Sequence, residues 1–194
     1  VRNGDVWSQQ PVYIKASNTG AQDFFGTSLM LAADGNTLAV GAPGEASRAT
    51  GVNGDESDDL AKNAGAVYVF TRIAGQWGQQ AYVKASNTNA GDRFGEVVAI
   101  AADGNSLSVG APLEQSATRG LSGDPTNNKA VDVGAVYLFT RSGTAWSQHR
   151  YLKASNASPD DKFGQALALS GDAQTLAVGS PGERSKAAGI NGDQ

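Results

Sequence analysis

Cysteine is absent from all 194 residues, which excludes a disulfide framework and a cysteine-rich zinc scaffold, so stability must come from packing. Histidine occurs once, at His149, and a single imidazole builds neither a zinc triplet nor a catalytic His network. No apolar run approaches the roughly 20 residues that span a bilayer, and Val1–Gln10 lacks the charged and apolar regions of a secretory leader; no membrane insertion is expected. Basic charge is thin: 15 Lys and Arg stand against 19 Asp and Glu, a formal net charge of -4, scattered along the chain. That balance offers no cationic face to a phosphate backbone, and nucleic acid is excluded as a partner. Neither a Gly-rich phosphate loop nor a Gly-x-Ser-x-Gly elbow is present.

What is abundant is glycine, 25 residues, and its placement is periodic. Lys15-Ala16-Ser17-Asn18 returns at Lys84-Ala85-Ser86-Asn87 and at Lys153-Ala154-Ser155-Asn156, each step being 69 residues. Phe25-Gly26, Phe94-Gly95 and Phe163-Gly164 keep the same spacing, as do Gly41-Ala42-Pro43, Gly110-Ala111-Pro112 and Gly179-Ser180-Pro181. Gly65-Ala66-Val67-Tyr68 recurs at Gly134-Ala135-Val136-Tyr137, and Trp7, Trp77 and Trp146 mark the seams, with Pro11 adding one residue to the first step. A fixed long period is the signature of a repeat architecture. We place the copies at about 4–73, 74–142 and 143–194.

Within a copy the local signals are those of strands. Val12–Lys15, Ser28–Leu31, Thr37–Val40 and Ala66–Phe70 are short and rich in β-branched and aromatic residues. Asp34-Gly35-Asn36 and Asp103-Gly104-Asn105 supply the positive φ of a tight hairpin, whereas the third copy has Asp172-Ala173-Gln174, which predicts a different turn or local strain. No window carries a useful helical period. Four short antiparallel strands per copy predict an all-β protein of β-propeller blades. Propellers close with about four to eight blades, so three copies read as a fragment or open arc of a larger propeller. A longer parent chain or self-association would then cover the outer faces.

Phe-Gly followed by Gly-Ala-Pro, three times in one order and at one spacing, resembles the FG-GAP repeat family. In particular the chain resembles the bacterial members related in fold to the integrin α propeller, and the resemblance covers essentially its whole length. It implies an extracellular propeller used in adhesion or in carbohydrate or protein recognition. Many members carry an Asp-x-Asp-x-Asp-Gly calcium loop between the two motifs; here the only acid between Phe25 and Gly41 is Asp34, too few donors for the 6 to 8 oxygens that calcium takes.

Acids gather elsewhere, in Asn53-Gly54-Asp55-Glu56-Ser57-Asp58-Asp59. Asp55, Glu56, Asp58 and Asp59 are the candidate ligands for a hard cation such as calcium, set against the plainer reading of a solvated acidic loop. The matching stretch of the second copy, Ser122–Asn128, has one acid, and the third breaks off at Asp193-Gln194.

Asp23, Asp92 and Asp161, and Glu45, Glu114 and Glu183, also recur once per copy. Paired carboxylates suggest glycoside chemistry, but copies related by rotation cannot converge on one substrate, so a structural role in turns is expected. The Phe and Trp residues are read as packing between blades, and His149 as a surface residue. Asn156-Ala157-Ser158 is a glycosylation sequon of low specificity.

In repeat proteins recognition sits where copies diverge. Residues 46–63 and 115–132 diverge most, and Arg48, Asn53, Arg119, Asn127 and Lys129 are the candidate ligand-binding residues. The expected function is therefore a non-enzymatic binding or adhesion scaffold, secreted or on the cell surface, for a glycan or an extracellular protein. Two alternatives stand beside it: an architectural surface-layer or sheath component, and the propeller part of a larger polysaccharide-degrading enzyme.

Overall fold

A computed structural model describes residues 1–9, 12–121 and 123–190; Pro11, Ser122, Asp193 and Gln194, singled out above, lie outside them. The elements are all strands: β1 (Arg2–Asn3), β2 (Val6–Trp7), β3 (Ser28–Leu31), β4 (Thr37–Ala42), β5 (Ala66–Ile73), β6 (Gln76–Val83), β7 (Val97–Ile100), β8 (Ser106–Ala111), β9 (Ala135–Ser142), β10 (Ala145–Leu152), β11 (Ala166–Leu169) and β12 (Leu176–Gly179). Two four-stranded antiparallel meanders result, β3-β4-β5-β6 and β7-β8-β9-β10, flanked by the hairpins β1-β2 and β11-β12. β7 packs on β3 and β4, and β11 packs on β7 and β8, so the sheets stack face to face as blades. Among the described residues no sheet closes this stack into a ring.

Strand grouping differs from the sequence reading. The strand that opens each copy joins the sheet of the copy before it, because the two-residue turn Ala74-Gly75, with φ of 50° and 83°, folds β6 straight back on β5. Such a left-handed pair matches the twist of a tight hairpin. A correction follows for Val12–Lys15, which is not a strand. In the later copy the equivalent residues pair with a long third strand, Val83 with Val67 and Tyr82 with Tyr68, and among the described residues no such strand lies beside Val12–Lys15.

Both faces of a blade are apolar. On the first blade Ala39, Val67, Val69, Ala81 and Val83 share one cluster with Leu107, Val109, Tyr137 and Phe139 of the second. Val40, Ala66, Tyr68, Phe70 and Tyr82 face the other way, against Ile14, Ala16 and Phe25. Burial on two sides explains the unbroken apolar run Ala66–Phe70.

The repeat motifs are the points where neighbouring blades touch. A Cβ added at Gly41 would sit 2.0 Å from the Gly95 carbonyl oxygen, and at Gly110 2.1 Å from that of Gly164. Each Gly-Ala-Pro glycine thus leaves room for the Phe-Gly turn of the next copy. Phe94 donates its N–H to Ala64 at 2.9 Å and stacks edge-on against Tyr137, with ring centroids 5.3 Å apart. Phe163 likewise donates to Val133 at 2.9 Å. Trp146, buried at 6 %, donates to Gln80 of the preceding blade at 2.9 Å. Gln80 is the extra residue where the β5-β6 register shifts, and a bulge of this kind re-aims a side chain.

Candidate functional site

One end of each blade carries a buried polar network, built by strand ends that arrive together. Glu45 follows β4 and Lys84 follows β6, and alternate strands of a meander end on the same side. Lys84 Nζ lies 2.7 Å from Glu45 Oε2, and Lys153 Nζ lies 2.7 Å from Glu114 Oε2, with all four side chains at most 1 % exposed. Three residues beyond each lysine, the motif asparagine reaches the following blade: Asn87 Nδ2 donates to Glu114 Oε1 at 3.0 Å and Tyr137 Oη donates to Asn87 Oδ1 at 2.6 Å. Asn18, Glu45 and Tyr68 repeat that arrangement. Lys-Ala-Ser-Asn is therefore a clamp, its lysine gripping one blade and its asparagine the next.

Charges kept this far from water need partners, and burial shifts them. Desolvation lowers the Lys84 and Lys153 ammonium groups despite the adjoining glutamates. Asp92 is pushed up to about 8, first by burial and then by the Glu114 charge. The recurring aspartates hold turns: Asp23 accepts from Gly20 N at 2.6 Å, Asp92 from Asn89 N at 3.0 Å and Asp161 from Ser158 N at 2.7 Å.

Above this network lie the two long loops. Ser47 Oγ donates to the Asp55 carbonyl at 2.7 Å, and Ser116 Oγ to that of Asp124 at 2.8 Å. Asn18 Nδ2 holds the Glu56 carbonyl at 3.0 Å, and Asn87 Nδ2 holds that of Pro125 at 2.7 Å. Ala61 N donates to Ala46 O at 2.7 Å, and Ala130 N to Gln115 O at 3.0 Å. Different sequences thus hang on one backbone frame.

The four acids proposed for a cation do not converge. Asp55 turns back on Ser57 N and Oγ, bonds that hold its carboxyl below the ordinary range. Glu56 accepts from Ser17 Oγ. Asp58 accepts from the backbone of Arg48 and Leu60, both at 3.1 Å, and Asp59 lines a separate hollow with Asp23 and Lys62. Among the described residues no three His, Cys, Asp or Glu gather in a way that could hold a metal ion. The residues present do not fit a calcium site.

Of the candidate ligand-binding residues, Arg48, Arg119 and Lys129 are exposed on the loops, Arg48 lying 3.7 Å from Asp58. Asn53 has a structural task, at φ 54°: its N–H donates to Tyr82 O at 2.7 Å and its Oδ1 accepts from Tyr82 N at 3.0 Å. Asn127 closes its own loop, its carbonyl accepting from Ala117 N and Lys129 N, while its Oδ1 is buried without a hydrogen bond. His149 is exposed.

Against known families, the FG-GAP repeat model matches residues 7–70, 77–139 and 146–193. The chain belongs to the FG-GAP repeat family. Each matched stretch begins at a Trp of the series Trp7, Trp77 and Trp146. Among curated proteins none matches the chain. No helix of the described residues is long and apolar enough to cross a membrane.

The FG-GAP clamp was hidden in plain view by the sequence. Lys-Ala-Ser-Asn serves there as a ruler for the period, and nothing local says that its lysine is buried. The usable signal is the pairing of two recurrences, Lys84 and Lys153 each standing 39 residues after a glutamate.

Proposed function

We infer that this FG-GAP chain is an extracellular recognition scaffold that binds a glycan or protein ligand through residues 46–63 and 115–132, rather than an enzyme. One observation carries the reading: the two loops share their anchoring bonds from Ser47 and Ser116 and from Asn18 and Asn87, while their exposed residues diverge. The first loop holds four acids against two bases, and the second two against two. A rigid frame that presents variable polar side chains is how scaffolds place binding residues. The recurring carboxylates that might have served an acid–base mechanism are instead engaged in turns and in the clamp, which supports binding over catalysis.

Exchange of the two loops tests this. A chain carrying residues 115–132 in both places is screened beside the wild type on arrayed glycans and immobilised extracellular proteins. Binding that changes partner or falls about tenfold or more on exchange supports the reading, at roughly 1.4 kcal/mol per decade. Binding unaltered by the exchange, or turnover of an arrayed glycan, overturns it.

A further inference from the structure

The clamp brings together a lysine, a glutamate and an asparagine whose chemistry the fold leaves unused. On the second blade Glu114 accepts from Lys153 Nζ at Oε2, 2.7 Å away, and from Asn87 Nδ2 at Oε1, 3.0 Å away. An amine and a carboxamide thus sit on the two oxygens of one carboxylate. The amide oxygen has a donor of its own, since Tyr137 Oη donates to Asn87 Oδ1 at 2.6 Å. The first blade repeats every contact: Lys84 Nζ is 2.7 Å from Glu45 Oε2, Asn18 Nδ2 is 3.0 Å from Glu45 Oε1, and Tyr68 Oη donates to Asn18 Oδ1.

These are the parts of an acyl transfer. A carboxamide reacts with an amine when the amine has shed its proton, the carbonyl oxygen is stabilised as it gains charge, and the leaving nitrogen is protonated. Burial favours the first step. The Lys84 and Lys153 side chains are fully enclosed, and desolvation lowers both ammonium groups. Burial serves the second step too, because it raises the Tyr137 hydroxyl and so keeps it a donor. The carboxylate that touches both nitrogens is placed for the third. Holding amine and amide in one molecule on one carboxylate removes the entropic cost of bringing them together.

We propose that each triad closes an intramolecular amide bond with loss of ammonia, from Lys153 Nζ to Asn87 Cγ on the second blade and from Lys84 Nζ to Asn18 Cγ on the first. Glu114 Oε2 takes a proton from Nζ, and the freed lone pair forms the new bond to Asn87 Cγ. Charge gathers on Oδ1 against the Tyr137 hydroxyl. The Cγ–Nδ2 bond then breaks, and its electron pair leaves with the nitrogen. Two protons in all leave Nζ by way of Glu114, and the departing nitrogen takes both as ammonium. The glutamate ends as it began, and neither oxidant nor reductant is needed. Asn87 is only half-buried, which gives the ammonium a way to water. Until the bond closes, lysine and glutamate remain the ion pair described above. Once closed, it ties the chain around one whole blade, β3–β6 from residue 18 to residue 84 and β7–β10 from residue 87 to residue 153. Such a tie restricts the unfolded chain as a disulfide does, in a protein that has no cysteine.

The test is the intact mass of the denatured chain, sampled over several days from a preparation whose circular dichroism shows it folded, followed by peptide mapping. Expected is a mass below the sequence value by about 17 Da for each closed triad and about 34 Da at completion, with branched peptides joining residue 87 to 153 and residue 18 to 84. Asn87→Ala, a change at a half-buried position, removes one electrophile and halves the deficit, with the first triad as internal control. Tyr137→Phe keeps the ring and slows closure at its own triad by about tenfold or more relative to the other. A folded chain that keeps its full sequence mass overturns the proposal. So does an ammonia loss that maps instead to a succinimide at Asn53-Gly54. Neither result bears on the recognition reading, because the mass is blind to what the loops bind.

Discussion

Glu114 and Glu183 occupy the same place in two copies of one repeat, yet the first is buried against Lys153 and the second is exposed beside Asn156 and Ser185. Both stand two residues after the motif proline and two before a serine. Among the described residues the difference comes from whether a strand bearing Tyr-x-Lys lies over the carboxylate: Tyr151 and Lys153 cover Glu114, whereas Glu183 accepts from Asn156 and Ser185. The same carboxylate is thus an ion-pair partner only where the strand of the following copy covers it.

Removing one charge at each place breaks the comparison most sharply. Glu114→Gln leaves the Lys153 ammonium buried without its counter-ion, and a loss of about 3–5 kcal/mol is expected in denaturant unfolding. Glu183→Gln is expected to change stability by about 0.5 kcal/mol or less in the monomer, as surface substitutions do. Replacing the inner pair together, Glu114→Leu with Lys153→Met, regains most of the loss, since apolar groups of similar volume substitute well for a buried pair. Equal losses at Glu114 and Glu183 would contradict the account.

The glycines sharpen it at the backbone. Gly110→Ala sets a methyl group 2.1 Å from the Gly164 carbonyl oxygen, which cannot rotate away, whereas at Gly179 the nearest atom is the Ala166 Cβ at 3.1 Å. Gly110→Ala is expected to cost about 3 kcal/mol, the upper range for overpacking, and Gly179→Ala under about 1. Melting curves of the two single variants measure the difference.

Asp92 gives the inner seam a pH dependence. Its carboxyl stands near 8 in the fold and near 3.8 when exposed, so between those values the folded chain holds a proton that the unfolded chain has released. Stability from this group is therefore full at low pH, falls as pH rises through that window and levels off above about 8, by at most about 1.4 kcal/mol per pH unit. Asp92→Asn keeps an acceptor for the Asn89 N–H and carries no charge. Urea unfolding at pH 5, 7 and 9 should show the wild type losing stability relative to the variant as pH rises; parallel profiles would assign the slope elsewhere.

Much of the fold was legible because the period of 69 residues and the Phe-Gly and Gly-Ala-Pro motifs are carried by backbone requirements, and glycine marks close approach wherever it falls. Strand grouping was less so. Val12–Lys15 has every strand feature, but pairing depends on the presence of a neighbour that composition does not report. The acidic loop shows the same limit from the other side: four carboxylates in five residues suggest a metal, and a frame anchored through Ser47 and Asn18 sends them to different partners. The clamp needed a distance of 39 residues between two motifs, which a local reading does not weigh.

The smallest effect concerns the turn in which the third copy departs from the others. Gly35 and Gly104 have φ of 68° and 70°, and Ala173 takes the same conformation at 60°. The turn type is thus kept and the strain accepted, because Asp172 Oδ1 still accepts from Gln174 N at 3.0 Å, as Asp34 and Asp103 do from Asn36 and Asn105 at 2.8 and 2.9 Å. A left-handed alanine costs about 1 kcal/mol or slightly more, and glycine gives back part of that gain through its freer unfolded state. Ala173→Gly is therefore expected to stabilise the chain by about 0.5 kcal/mol. Gly35→Ala, where the only atom near the new methyl is an Arg72 nitrogen at 3.6 Å, should cost a similar amount with no clash to confuse it. Opposite signs of comparable size would show that one backbone conformation governs both hairpins; a loss on Ala173→Gly would mean that the Ala173 methyl contributes packing beside Leu169 and His149, with which it lines a shallow hollow.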